Sequence, residues 1–281
     1  MSAPSSTSDP GSAASPKTTD QEAEVVLRFS GVNKSFGDRS VLKDLDFVVR
    51  KGEHVAILGG SGIGKSVLLR LVVGLLSPDE GQVELWGQST TGLSEEGWVP
   101  LRRRIGMVFQ SGALFDSMTV FENVAFPLRE RRQHSEAELR QIVAERLDWV
   151  GLPDVAEQYP DELSGGMKRR VALARTLAFS PEFVLYDEPT TGLDPRTSER
   201  ISILMRELES KLNSTVILVT HDIACARVVA SRWAYLAGGR VVADGPPAEL
   251  LVSDNQELRE FLNAGNSARD LRHITEENAP I

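Results

Sequence analysis

The run Val55-Ala56-Ile57-Leu58 is continuously apolar and passes directly into Gly59-Gly60-Ser61-Gly62-Ile63-Gly64-Lys65-Ser66 and then KSVLLRLVVGLL. An apolar run without alternation reads as a parallel strand covered on both faces. The glycine-rich segment after it satisfies the pattern G-x-x-x-x-G-K-S/T in the setting that gives it meaning, between a buried strand and a helix. Gly59, Gly60, Gly62 and Gly64 let backbone N–H groups curl around phosphate oxygens at a helix N-terminus. Lys65 then reaches the β and γ phosphates, the Ser66 hydroxyl is placed to ligate magnesium, and Ser61, Ile63 and Val67 complete the predicted ATP-binding stretch.

A parallel strand needs parallel neighbours joined by crossovers. Short β-prone runs, VVLRF, VLKDLDFVV, HVAILGG and QVELWG, fill residues 24–89 and are separated by turn signals at Phe36-Gly37-Asp38 and Lys51-Gly52. Ser135 and Glu138 form a capping-box pattern ahead of an apolar stripe of Leu139, Ile142, Val143, Leu147 and Val150, ended by Gly151 and Pro153. Strand signals return in FVLYD at 183–187 and TVILVTH at 215–221 with helical sequence between them, the alternation of an α/β sheet.

Phe183-Val184-Leu185-Tyr186 ends in two carboxylates, Asp187 and Glu188. A strand tip of this kind presents acid groups to a metal nucleotide. Asp187 is the candidate to hold magnesium, directly or through water. Glu188 is the candidate general base for the attacking water, a role that needs a carboxylate within hydrogen-bond reach.

Leu163-Ser164-Gly165-Gly166-Met167 precedes the helical run KRRVALARTLAF. Here a Ser hydroxyl and Gly amides at a helix N-terminus form an anion site. Kinases and GTPases with the same phosphate-binding loop have no use for it. The segment resembles the signature of ABC ATPases, and the order of loop, signature and acidic strand is that of the family. The remaining elements match too: Gln110 after IGMVF, Asp194 in GLDP and His221 after VILVT.

The resemblance covers most of residues 24–264. It implies an α/β P-loop NTPase fold with a mainly parallel central sheet, an antiparallel β subdomain and an inserted α-helical subdomain at about residues 111–180. It implies ATP and Mg2+ as cofactors. Gln110 would sense magnesium and the attacking water, and His221 would contact the γ-phosphate. Ser164, Gly165, Gly166 and Asp194 would act on the ATP held by a second copy of the chain. Phe36 matches the aromatic that stacks on adenine in many relatives, although an aromatic in a sheet-rich region also serves as core. His54, His134 and His273 match no element and read as structural or surface residues.

The stretch FQSGALFDSMTVFENVAFPLRE, with GGSGIGKS and LSGGM, is similar to the ATPases of Mla and Mce phospholipid transport systems. That similarity implies a multispanning permease, an Mce-domain lipid-binding protein and a place on the cytoplasmic face of the bacterial inner membrane. The apolar residues Leu114, Phe115, Met118, Val120, Phe121, Val124 and Phe126 exceed what one amphipathic helix needs, so part of them reads as core and part as a docking surface for the permease.

The longest apolar stretches, such as VALARTLAF at 171–179, are shorter than the roughly 18 residues a spanning helix requires. The net charge of -9 argues against broad binding to nucleic acid or anionic lipid. Cys225 is the only cysteine among 281 residues, which excludes an internal disulfide and reads as a small buried hydrophobe. Residues 1–23, rich in Ser, Pro, Ala and Thr, read as a disordered tail without the apolar core of a secretion signal. Residues 265–281 carry no interpretable motif and would either contact the partner subunit or stay disordered.

Three other functions fit parts of the chain: an ABC transporter ATPase for another cargo, a non-transport ABC ATPase acting on DNA or ribosomes, and a P-loop kinase. The kinase leaves LSGGM, GLDP and His221 without a purpose. The non-transport class tends to carry two nucleotide domains or a long coiled-coil insertion, and this sequence has neither.

Overall fold

A computed structural model of the chain describes residues 24–110 and 112–264. The expected tails, 1–23 and 265–281, with His273, lie outside the described residues.

Two sheets organise the molecule. Val25–Phe36 (β1) and Arg39–Arg50 (β2) form an antiparallel hairpin closed at Gly37-Asp38, with Gly37 at φ 57°. Glu80–Leu85 (β4) pairs with the other side of β1, and Gln88–Ser89 (β5) extends it, giving the order β2-β1-β4-β5. The second sheet holds His54–Leu58 (β3), Ile105–Val108 (β6), Phe183–Asp187 (β7), Thr215–Thr220 (β8), Arg232–Ala237 (β9) and Arg240–Gly245 (β10). Its order is β10-β9-β3-β8-β7-β6, parallel except for β10.

Strand geometry turns each central strand into two rows of side chains. Val55, Ile57, Leu185, Ile217 and Val219 face a core shared with the antiparallel sheet and with Lys65–Val72 (α1). Glu95–Arg102 (α2) adds Trp98 and Leu101 to that core. Ala56, Leu58, Val184, Tyr186, Val216 and Leu218 face a second core. It is closed by Val120–Arg131 (α3), Glu136–Trp149 (α4), Gly165–Leu177 (α5), Pro195–Leu212 (α6) and Ile223–Val229 (α7). The continuous apolar runs are thus the signature of a sheet buried on both faces. Each fully buried Leu or Ile in them contributes roughly 1.5–3 kcal/mol over exposure. Pro247–Leu250 (α8) completes the order, followed by helical residues 256–264.

The Ser135 and Glu138 box is present at α4, and a second box at Thr119 and Glu122 starts α3. The helix after the glycine-rich loop is shorter than KSVLLRLVVGLL suggests and stops at Val72. Its apolar continuation turns away at Gly74, where φ is 70° and an added Cβ would sit 2.3 Å from Trp98 Cε2, so a tight turn under the Trp98 ring replaces the last helical turn. Of the apolar residues between Gln110 and Ser164, Val120 and Val124 are core, Leu114 and Phe121 pack partly against it, and Phe115 is exposed. His54 sets its ring nitrogens against the carbonyls of Val229 and Ser214 at 3.3 and 3.2 Å. Cys225 is buried.

The second core holds a costly carboxyl group. Glu209 of α6 is fully buried, accepts a hydrogen bond from the Tyr186 hydroxyl, and its Oε2 has no partner among the described residues. Burial pushes its carboxyl up to about 7. The native state therefore holds a proton that the unfolded chain releases near its ordinary value, about 4.3. Stability is lost as pH rises from there to about 7, by roughly 2–4 kcal/mol. Glu209→Gln, measured by urea unfolding, is expected to flatten that part of the pH profile and to be no less stable than wild type at pH 8. An unchanged profile would show that Glu209 is already ionised in the native state.

Candidate nucleotide site

The strand order sets the carboxyl ends of β3, β8, β7 and β6 side by side. Ligands of open parallel sheets bind outside those ends. A cleft of about 480 Å³ lies there, lined by Phe36, Arg39, Ser61, Gly62, Gly64, Lys65, Ser66, Val67, Gln110, Glu188, Thr191 and His221 among others. A neighbouring cleft of about 620 Å³ lies between α6 and α7 and shares only Thr191 and His221 with it. It holds neither the glycine-rich loop nor the paired carboxylates, so the smaller cleft is where the predicted chemistry converges.

Local sequence explains the loop. Gly59, Gly62 and Gly64 have φ of 152°, 75° and 115°, a backbone that other residues adopt only with strain. Gly64 is the N-cap of α1, with no side-chain cap and no acid in the first turn. The helix amides and the positive dipole end are left for an anion. A Cβ at Gly59 would lie 2.2 Å from Ile63 Cδ1, so the Ile63 side chain packs against the loop's first glycine, and it is not on the cleft lining. Lys65 is 5% exposed, and its Nζ donates to the carbonyls of Gly59 and Gly60 at 2.8 and 2.9 Å.

The two carboxylates take different places because Asp187 follows the strand alternation and Glu188 lies just past the strand's end. Asp187 points to the α1 side, where the Ser66 hydroxyl donates to its Oδ1 at 2.9 Å. Burial raises the Asp187 pKa, against the Ser66 hydrogen bond. Glu188 breaks the alternation with φ 50°, a left-handed conformation costing about 1–2 kcal/mol. That conformation turns its carboxylate back over the loop: Oε1 is 3.3 Å from Lys65 Nζ, and Oε2 is 2.8 Å from His221 Nδ1. The Thr191 hydroxyl donates to the same Oε2 at 3.1 Å. Burial alone would raise the Glu188 pKa, but the His221 hydrogen bond and the His221 and Lys65 charges outweigh it and lower it. The Glu188 hydrogen bond raises the His221 pKa in return.

Gln110 follows β6 and reaches the cleft from its far side. Phe36 is 47% exposed at the end of the β1 hairpin, with Lys34 Nζ 5.6 Å from its ring centroid. The cleft therefore offers a flat apolar ring, an uncapped helix terminus and a lysine. It also offers Ser and Asp oxygens in contact with each other, a set suited to Mg2+, which prefers few protein oxygens plus phosphate.

Ser164, Gly165, Gly166 and Asp194 are not on this lining. Ser164 caps α5, its hydroxyl accepting from the Met167 amide at 3.3 Å, and a Cβ on Gly165 would meet nothing within 4 Å. Asp194 caps α6 and accepts from the Thr197 amide at 3.0 Å; hydrogen bonds from Thr197 are the leading cause of its lowered pKa. Gly166 would bring a Cβ 3.0 Å from Thr197 Cγ2, so the two helix starts lie against each other on the surface.

A family model described as ABC transporter matches residues 42–191. The chain belongs to the ABC transporter family. The intermembrane phospholipid transport system ATP-binding protein MlaF of Haemophilus influenzae is 43% identical to this ABC ATPase over 226 residues, 80% of this chain and 86% of that one. The probable ribonucleotide transport ATP-binding protein mkl of Mycobacterium tuberculosis is 39% identical over 239 residues, 85% of this chain and 67% of its own length. Among solved structures, a dimeric post-hydrolysis state of an ATP-binding cassette bound to ADP and Pi aligns with TM-score 0.72 and 36% identity, covering 78% of this chain and 98% of that one. This ABC ATPase hydrolyses ATP with Mg2+ in the family's fold.

Sequence reasoning missed several residues of the site. Arg39 donates to the Gly62 carbonyl at 2.8 Å from the strand after the Phe36 turn, and Thr191 holds Glu188. Asn123 fastens the segment after Gln110 by accepting from the Phe115 amide and donating to the carbonyls of Phe115, Met118 and Thr119. Only Asn123 carried a signal, a polar side chain inside the apolar run of α3.

Proposed function

We propose that this ABC ATPase powers a transporter that moves phospholipid or a related lipid between membranes, as a pair of identical subunits beneath a multispanning permease. The observation that carries the dimeric mechanism is the division of the predicted residues. One chain's cleft gathers Lys65, Ser66, Gln110, Glu188 and His221, whereas Ser164–Gly166 sit outside it on an exposed helix start. A second copy facing the first would set those donors over the γ-phosphate and complete the site.

On this reading Lys65 and the α1 terminus bind the phosphates, and Phe36 receives the adenine. Ser66 and Asp187, with Gln110, hold Mg2+, which when bound offsets charge on the phosphate oxygens. Glu188 takes a proton from the attacking water, and His221 holds its carboxylate and meets the γ-phosphate. ATP binding closes the pair and cleavage reopens it.

The lipid cargo is supported by the likeness to MlaF. The permease partner is supported by the segment after Gln110, where exposed Phe115 lies against half-buried Phe126 with centroids 4.9 Å apart and the rings tilted by 52°. An exposed aromatic ring in the helical region suits a permease segment. An Mce-domain protein and the cytoplasmic face of the inner membrane belong to the same proposal. The nucleotide domain is assigned to residues 24–264, with its helical part at about 111–180.

The test is recovery of the tagged chain from its native membranes in mild detergent, with mass spectrometry of bound protein and lipid. A multispanning permease with an Mce-domain protein and phospholipid is the expected result. A different permease without lipid overturns the cargo, and ribosomes or nucleic acid overturn transport.

A further inference from the structure

Lys65, Arg146 and Arg169 are the buried cations among the described residues. Lys65 has Glu188 as its counter-ion and Arg146 has Glu145. Arg169, 7% exposed on α5, makes no ion pair among the described residues, and burial pulls its pKa below the ordinary arginine value. A buried guanidinium is costly unless its donors are used. They are used on main chain alone. Nη1 donates to the carbonyl oxygens of Phe109, at 3.2 Å, and Gln110, and Nη2 donates to that of Thr191 at 3.2 Å.

Those carbonyls belong to two loops that no strand pairing joins at this point. One carries Gln110 off the end of β6; the other leaves β7 through Glu188. Thr191 in turn holds Glu188, by its hydroxyl to Oε2 at 3.1 Å and its amide to the Glu188 carbonyl at 3.2 Å. Farther along α5, Arg175 takes the carbonyls of Gly112 and Ala113 at 2.8 and 2.7 Å. Arg169 lies three positions beyond Gly166, so a single planar fork ties the start of the signature helix to both loops.

We infer that Arg169 is a positioning residue for hydrolysis, holding Gln110 and the Thr191–Glu188 pair in fixed relation to Ser164–Gly166 so that these elements move as one body. It is not itself on the cleft lining and touches no reacting atom; it acts through the main chain of Gln110 and Thr191, which are. This rests on the dimeric reading above, because the signature reaches the reaction only across a pair of subunits.

The experiment compares the full chain carrying Arg169→Met, Arg169→Gln or Arg170→Met. Arg170 is the matched control: it lies on the same helix and donates to the carbonyls of Val150 and Gly151, at 3.0 and 3.2 Å, away from the cleft. Both Arg169 variants are expected to lower kcat about 10–100-fold, the scale of a small misplacement of reacting groups. Their KM and ATP affinity should stay near wild type, and the Mg2+ concentration needed for half-maximal rate should rise because Gln110 is released. Arg170→Met should keep both kcat and Mg2+ requirement.

Where Arg169→Met fails to fold by far-UV circular dichroism, Arg169→Gln, which keeps two amide donors, decides. Wild-type kcat in a folded Arg169 variant, or an equal loss in Arg170→Met, overturns the inference. So does a fall in ATP affinity matching the fall in kcat, which would signal general distortion. Glu188→Gln alone is run on size exclusion with Mg-ATP. Absence of a nucleotide-dependent dimer there overturns the dimeric reading instead, whatever the Arg169 variants do to rate.

Discussion

Glu188→Gln is expected to lower steady-state ATP turnover about 10²–10⁴-fold, the usual contribution of a positioned general base. The substitution keeps the shape and one acceptor oxygen while removing the charge. Its position argues for a large effect on rate and a small one on binding. The carboxylate sits at the tip of β7 in a left-handed turn, with Lys65 3.3 Å and His221 2.8 Å away, and does not build the phosphate loop. Binding of a fluorescent ATP analogue should therefore persist, and the ATP-bound dimer should accumulate. Gln also weakens the hydrogen bond from position 188, the leading cause of the raised His221 pKa, and removes the charge that adds to it, so the imidazole should titrate closer to the ordinary value, about 6.5, by NMR. Near-normal turnover would sink the base assignment. Slow turnover with an unshifted His221 would mean that the two side chains are not paired in solution.

Lys65→Ala should act on the other half of the reaction and abolish useful binding. Lys65 is the buried positive charge of the cleft, pinned by two loop carbonyls and facing the carboxylates of Asp187 and Glu188. Without it, the phosphates would meet those acids with no buried side-chain charge to offset them, Arg39 standing exposed at the rim. Loss of one partner of a buried charge pair costs about 2–5 kcal/mol. That corresponds to roughly a 30- to 5,000-fold weaker Kd. Calorimetric titration with Mg-ATP measures it directly. Affinity within about threefold of wild type, below 1 kcal/mol, would place the phosphates elsewhere than over α1.

Much of this is legible in the chain because the informative residues are constrained by local physics. Apolar runs without alternation mark the parallel strands at Val55–Leu58 and Phe183–Tyr186. The glycines of 59–64 announce their φ angles, and Ser135 and Glu138 their cap. Long-range geometry is not legible. Nothing local says that Asp187 faces Ser66 while Glu188 turns to His221, since that depends on which strands are neighbours in the sheet. Thr191 and Arg169 are invisible for the same reason: each acts by a hydrogen bond to a group far from the pattern that would have singled it out. The helix after Lys65 reads too long because Gly74 packs against Trp98, 24 positions away, and periodicity does not see such a contact.

The cleft is shared between the two sheets. Phe36 and Arg39 hang from the antiparallel hairpin, whereas Lys65, Glu188 and His221 rise from the six-stranded sheet, and the seam between them is made by close approaches such as Gly64 to Val41 and the Arg39 bond to Gly62. A nucleotide stacked on Phe36 and anchored at Lys65 spans that seam like a rivet. Local opening of the hairpin tip that carries Phe36, with the core between the sheets left intact, would then be enough to release it. The hairpin can thus govern how long ATP stays without contributing any atom to its cleavage.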